Sequence, residues 1–244
     1  MSVLSAGKLR ELMAEEEPKK RLVVTPLLDD TQISGTSVDL RLGSEFLSAR
    51  RTGVTVLDPH PRHAEHGEIV DPERQVRQLE SRRTVPIGQA YVLHPQQFVL
   101  ASTLEFVRIP HGYHAMLEGR SSWTRQGLVV RSVTNIAPGF AGVLTLVMVN
   151  QGEVPIRIYP GLRIAQLLVA RIETTQDPED REFEYSRTGA AKYIIPMGPS
   201  FGRLERDLDW PLIEEYNRQR LSSSGTRTDV PQGHVAGTKE GAGA

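Results

Sequence analysis

The feature that most constrains this chain is a side-chain period of two, repeated in short runs. "SVDLRL" sets Val38, Leu40 and Leu42 against Ser37, Asp39 and Arg41, and that period puts alternate residues on opposite faces of a strand. Comparable runs recur at "AYVLH", "QFVLAST", "LEFVRI", "YHAMLEG", "VLTLVMVN", "IRIYPG" and "RIAQLLVARI". Pro and Gly punctuate them at "HP", "IPHG", "APGFAG" and "YPG". Many short strands between such turns predict an all-β barrel or sandwich. In "VLTLVMVNQG", residues 143–152, Thr145 is the only polar residue before Asn150. No internal repeat is found.

Two helices are expected at the ends. In "SAGKLRELMAEE", Ser5 is a cap and Leu9, Leu12 and Met13 share a face. "DLDWPLIEEYNRQR", 207–220, starts at Asp209 and Pro211 and aligns Leu212, Ile213 and Tyr216 on one side. Residues 1–206 are expected to form the main domain. Within it, 58–84 are polar and mostly lack strand alternation, which predicts a long surface insertion. The tail, 221–244, is rich in Gly, Ser and Thr and is expected to be disordered.

Composition narrows the function. The 244 residues, 39% of them hydrophobic, suffice for one sizeable core or two small ones. No run approaches the roughly 18 apolar residues that span a bilayer. The start "MSVLSAGKLRELM" lacks the apolar stretch of a signal peptide. A cytoplasmic location without a membrane partner is therefore expected. With 29 Lys and Arg against 30 Asp and Glu, no basic excess points to nucleic acid, so any phosphate binding must be local. The absence of cysteine excludes disulfides, thiolate zinc sites and thiol nucleophiles.

"EGRSSWTRQGL", 118–128, is the most informative stretch. An arginine, two hydroxyls at a turn and a second arginine offer guanidinium forks, hydroxyls and backbone N–H groups to one anion, which suits a di- or triphosphate. The plain alternative is a polar turn. "APGFAG", 137–142, holds an aromatic where a ring could pack on a sugar, and Gln166 in "YPGLRIAQL" could reach a ligand. His60, His63 and His66 are three apart, but Pro61 disfavours an early helix, so a solvated loop is expected rather than a metal site. No nucleophile elbow, Walker motif or dinucleotide glycine pattern is present.

Taken in order, "GTSVDLRLGSEF", "FVLASTLEFVRIP", "EGRSSWTRQGL", "IAPGFAGVLTL", "NQGEVPIRIYPGLRIAQL" and "YSRTGAAKYIIPMGP" resemble the dCTP deaminase and dUTPase superfamily, more closely its dCTP deaminase branch. The similarity runs from about residue 4 to residue 203. It implies a distorted jelly-roll-like β-barrel, assembled as a homotrimer with sites at subunit interfaces. The ligand it implies is a deoxypyrimidine triphosphate carried with Mg²⁺, with no protein-bound metal. Arg120, Ser121, Ser122 and Arg125 match the phosphate-binding element, although Trp123 and Thr124 stand where the family more often has Leu and Ala or Gly. Gln166 matches the strand Gln near the phosphates, and Tyr185 with Lys192 the pair that closes over the triphosphate. Phe140 matches the aromatic near the deoxyribose, while Val133, Asn135 and Ala137 lie along the base-reading stretch. The Gln that often follows the Lys is Pro196 here.

The same resemblance exposes a missing part. Deaminating cytosine at C4 needs an activated water and a proton for the departing ammonia, and in this family one strand glutamate does both. Val147 occupies that position, and Ala137 replaces the aspartate that orients water in the dUTPase branch. Asn135 stands where part of the family has a residue, Arg in some members, that supports the glutamate. The expected protein therefore binds a deoxynucleotide triphosphate but lacks normal deaminase activity. The alternative is an active deaminase or diphosphatase with a relocated base, for which Glu118 and Glu153 are candidates.

Overall fold

Alternating side chains fold the first part of the chain into antiparallel strands. In the computed structural model, residues 2–50, 57, 64–65, 68–69, 72–131, 135–173, 196–203 and 209–223 are described. The chain divides into two units, Met1–Arg206 and Asp207–Ala244. The strands of the first are β1 (Ser2–Val3), β2 (Val23–Thr25), β3 (Ile33–Ser34), β4 (Ser37–Ala49), β5 (Ala64–Glu65), β6 (Glu68–Ile69), β7 (Glu80–Thr84), β8 (Tyr91–Leu93), β9 (Phe98–Arg108), β10 (Tyr113–Gly119), β11 (Leu128–Arg131), β12 (Ala141–Asn150), β13 (Ile156–Ile158) and β14 (Arg163–Arg171). Its helices are α1 (Ala6–Met13), α2 (Pro72–Leu79) and α3 (Ser121–Thr124); α4 (Trp210–Ser223) belongs to the second unit.

A curled ten-stranded sheet runs β1-β14-β4-β9-β12-β11, with β10 added on β14, β2 on β9, and β3 and β7 on β4. This is the all-β, barrel-like architecture that the period-two runs predict. Two small ladders, β13 with β8 and β5 with β6, stand beside it.

Strand β4 joins the halves of the sheet. Residues 37–41 pair with β14, and residues from Leu42 onward pair with β9 and β7. Gly43 allows the crossing, since a Cβ there would stand 2.9 Å from the Ser102 carbonyl oxygen. Val38, Leu40 and Leu42 are fully buried, as their alternation predicts. They join Phe46, Val99, Val107, Leu117, Leu146, Met148 and Leu167 in one core cluster, which Leu9 of α1 also enters. Ser5 caps α1 by accepting from the Lys8 N–H.

Strand β12 carries a bulge between Val143 and Thr145. The Leu144 N–H released there donates to Thr103 Oγ1 at 2.9 Å, so the bulge leaves no buried donor unpaired. Beyond it, Leu146 and Met148 face inward and Val147 and Val149 are half-buried on the other face. Asn150 is fully buried. Its amide donates to the Leu93 and Val154 carbonyls at 3.0 and 2.9 Å and accepts from the Gly152 N–H at 2.9 Å.

Besides the short β5–β6 ladder, the polar segment 58–84 contains a helix and a longer strand that alternation did not reveal. Helix α2 spans most of its second half, and β7 pairs residue by residue with β4, from Thr84 opposite Glu45 to Glu80 opposite Ala49. Ladder bonds are made by the backbone, and β7 is an edge strand with Arg82, Arg83 and Thr84 exposed, so its sequence need not alternate. His60, His63, His66 and the tail 224–244 lie outside the described residues. In α4, Leu212, Ile213 and Tyr216 are all exposed.

Replacing Asn150 with Leu would strand two carbonyls and an N–H. At roughly 1 kcal/mol or more for each lost partner, we expect Asn150→Leu to lower unfolding free energy by about 3 kcal/mol in urea titration. A loss below about 0.5 kcal/mol would contradict the role given to that amide.

Candidate functional site

The site is built on a cross-strand row. Glu118 on β10 stands opposite Gln166 on β14, and Gln166 stands opposite Asp39 on β4. Directly opposed residues share a sheet face. Beside the row, β10 ends at Gly119, where a Cβ would lie 2.8 Å from the Val130 carbonyl oxygen. The chain then turns through Arg120 into α3, and Gly127, at φ +85°, closes the turn.

Asp39, only 8% exposed, collects the donors around it. Gln166 Nε2 donates to Oδ1 at 3.1 Å, while Arg163 Nη1 and Arg120 Nη1 approach Oδ2 at 3.3 and 3.6 Å. Arg163 continues to Asp29 at 2.6 Å, and Asp29 pairs with Arg41 at 2.7 Å. The result is a line of alternating charge, Arg41, Asp29, Arg163, Asp39, Arg120, ending at the turn.

Two further groups stiffen this line. Fully buried Gln32 donates to Glu105 Oε1 at 3.1 Å and to the Asp39 carbonyl at 3.0 Å. Glu105, also fully buried, accepts from the Arg41 N–H at 2.8 Å. Burial pushes the Glu105 carboxyl up, against the pull of those hydrogen bonds. Asp29 moves the other way: the Thr31 hydroxyl, then Arg163, hold it down at about 2.

The predicted phosphate donors fall into two groups. Arg120 and Gln166 are engaged with Asp39. Ser121, Ser122 and Arg125 are exposed, and among the described residues their side chains have no partner. Trp123 turns the other way, packs against the core and donates its indole N–H to the Arg163 carbonyl at 3.1 Å. Asn135 is exposed, and Ala137 is half-buried beside Ile136, which bridges to Ala115. Phe140 is 8% exposed and belongs to the core cluster. Val133, Tyr185 and Lys192 lie outside the described residues.

Val147 stands between Leu100 of β9 and Arg131 of β11. Neither neighbour is a carboxylate. Among the described residues, no group of three or more His, Cys, Asp or Glu is placed to hold a metal ion. Asp29, Asp39 and Arg163 were not among the candidates read from sequence. The signal for Asp39 was its place on the polar side of "SVDLRL"; its partners required the register of β4 on β14.

The curled antiparallel sheet, with an arginine and hydroxyl turn at the end of one of its strands, defines an all-β protein of dUTPase-like fold. The chain belongs to the dCTP deaminase-like family, whose model matches residues 3–172. It is 33% identical over 210 residues to a dUMP-forming dCTP deaminase of Methanobrevibacter smithii, covering 86% of this chain and 98% of that one. It is 35% identical over 207 residues to a dCTP deaminase of Halorubrum lacusprofundi, covering 84% and 92%. Among solved structures it is similar in fold to the 2′-deoxycytidine 5′-triphosphate deaminase of Agrobacterium tumefaciens, with a TM-score of 0.52 and 21% identity. That match covers 73% of this chain and 51% of the other, so it spans about half the length of the solved chain.

The line of charge has a definite pH signature. A carboxylate whose folded pKa is depressed contributes stability above its unfolded value and loses it as pH falls through the folded one. For Asp29 the window runs from 3.8 down to about 2. We expect the stability gap between the wild type and Asp29→Asn, read as urea midpoints, to be full near about pH 5 and to narrow steadily toward about pH 2. A gap that does not change with pH would exclude Asp29 as the responsible charge.

Proposed function

We propose that this protein binds a deoxypyrimidine nucleoside triphosphate and lacks the normal deaminase step. The observation that carries the reading is the contrast between two places. At the turn, Ser121, Ser122 and Arg125 are exposed next to Arg120 and have no side-chain partner among the described residues. At Val147, the ladder neighbours are Leu100 and Arg131, and neither is a carboxylate.

The local charge of the turn supports an anionic ligand. Arg120 and Arg125 flank Ser121 and Ser122, and Arg120 is shared with Asp39. Glu118 is exposed and without a partner among the described residues. A carboxylate beside a phosphate site fits a polyphosphate that arrives as its Mg²⁺ complex better than a bare one. Tyr185 and Lys192 would close over the triphosphate, with Val133, Asn135, Ala137 and Phe140 along the base and sugar. The protein would act as a homotrimer in the cytoplasm, as a sensor, regulator or structural subunit. Among the described residues, no helix is long and apolar enough to cross a membrane.

A second reading draws on Glu118. It occupies the same row as Gln166 and Asp39, so a relocated base could stand there in an active dCTP deaminase or dUTP diphosphatase. Loss of a positioned acid-base group costs roughly 10² to 10⁴ in rate, and more where that group also makes the nucleophile. The first reading is therefore preferred.

Calorimetric titration with Mg²⁺ and dCTP tests binding. Removing a charge-assisted phosphate contact, Arg125→Ala should weaken affinity roughly ten- to hundredfold without moving the melting temperature. Equal affinity in wild type and variant would remove the turn from the site. Val147→Glu combined with Ala137→Asp should restore measurable ammonia release if Val147 marks the lost base.

A further inference from the structure

Of the four residues of α3, Ser121, Ser122 and Thr124 are exposed, and only Trp123 turns inward to pack on the core. We propose that Trp123 is a positioning residue for the anion-binding turn, a role that rests on the nucleotide-binding reading above. Its indole N–H holds Ser121, Ser122 and Arg125 in the arrangement that receives phosphate oxygens.

A single helical turn does not sustain itself in water, because nucleation fixes several residues for one hydrogen bond. The turn therefore depends on its anchors to neighbouring strands and loops. The Arg120 N–H donates to the Ile164 carbonyl at 3.1 Å, and the Gly127 carbonyl accepts from the Gln151 N–H at 2.8 Å. Those are backbone bonds, available to many sequences. The third, Trp123 Nε1 to the Arg163 carbonyl at 3.1 Å, requires an indole.

Its placement matters as much as its existence. The first and third anchors end on consecutive residues of one strand, Arg163 and Ile164, and they bracket Ser121 and Ser122. The side chain of Arg163 is itself fixed between Asp29 and Asp39. The indole therefore ties the exposed donors to the residue of β14 whose side chain bridges the two carboxylates. Donors ordered before the ligand arrives need not be ordered by it, which raises affinity without any new contact.

The variants Trp123→Phe and Trp123→Leu separate the indole bond from simple filling of space. Phenylalanine keeps a ring against the core and loses the N–H; leucine loses both. In free Trp123→Phe, amide hydrogen exchange should accelerate at residues 121–126 and stay at wild-type rates in β14 and β4. Its calorimetric affinity for dCTP with Mg²⁺ should be roughly three- to tenfold weaker, with a melting temperature near that of the wild type. Trp123→Leu should lose more affinity and stability together. Wild-type exchange and affinity in Trp123→Phe, or a change in melting temperature alone, would reduce Trp123 to a core filler and overturn the proposal. If the wild type itself bound no nucleotide, the binding reading would fall and the positioning role with it. If the wild type and Trp123→Phe bound alike, only the positioning role would fall.

Discussion

The arrangement of the site depends on one shared carboxylate. Asp39 is almost buried, and an unpaired charge in that position would be costly to desolvate. Arg163, Arg120 and Gln166 meet its two oxygens and so make its burial tolerable. The same contacts fix three side chains that come from β14 and from the turn after β10. Because Arg163 is also held by Asp29, and Asp29 by Arg41, the restraint extends from β4 to the loop before β3. Glu105 and Gln32 close the inner side of this assembly. A guanidinium at its outer end is thus placed before any ligand is present, as electrostatic recognition of phosphate requires.

Anion recognition and proton transfer are separable in such a fold because they use different strands. The proposed phosphate donors sit on the turn between β10 and β11 and on β14, where backbone register positions them. Val147, the position proposed for proton transfer, lies on the half-buried face of β12 between Leu100 and Arg131. A β-branched apolar side chain suits a strand, so in the proposed reading the substitution costs the fold little. The two functions can therefore be lost independently, as the proposed reading of this chain requires.

Much of the fold was legible in the sequence, for reasons that individual residues make plain. Val38, Leu40 and Leu42 are buried because a period of two leaves them no other face, and Ser5 caps a helix because its hydroxyl can satisfy a free N–H. Strand β7 was hidden because an edge strand may be polar on both faces. At the site, the turn at Arg120 was legible as a local pattern of types. Asp29 and Arg163 were not, since they are 134 residues apart and meet only because the loop before β3 lies against the start of β14. The hydrogen bond of Trp123 was equally silent, because a tryptophan in a sequence does not state which carbonyl its N–H will find.

Product analysis tests the central claim most directly. Folded protein would be held with Mg²⁺ and dCTP, and separately with dUTP and dCMP, at concentrations where calorimetry shows the nucleotide bound, and the mixtures resolved by chromatography. Recovery of each nucleotide unchanged is the predicted result. Formation of dUTP or dUMP from dCTP at a rate typical of an enzyme would contradict it, and would place a working base somewhere other than Val147.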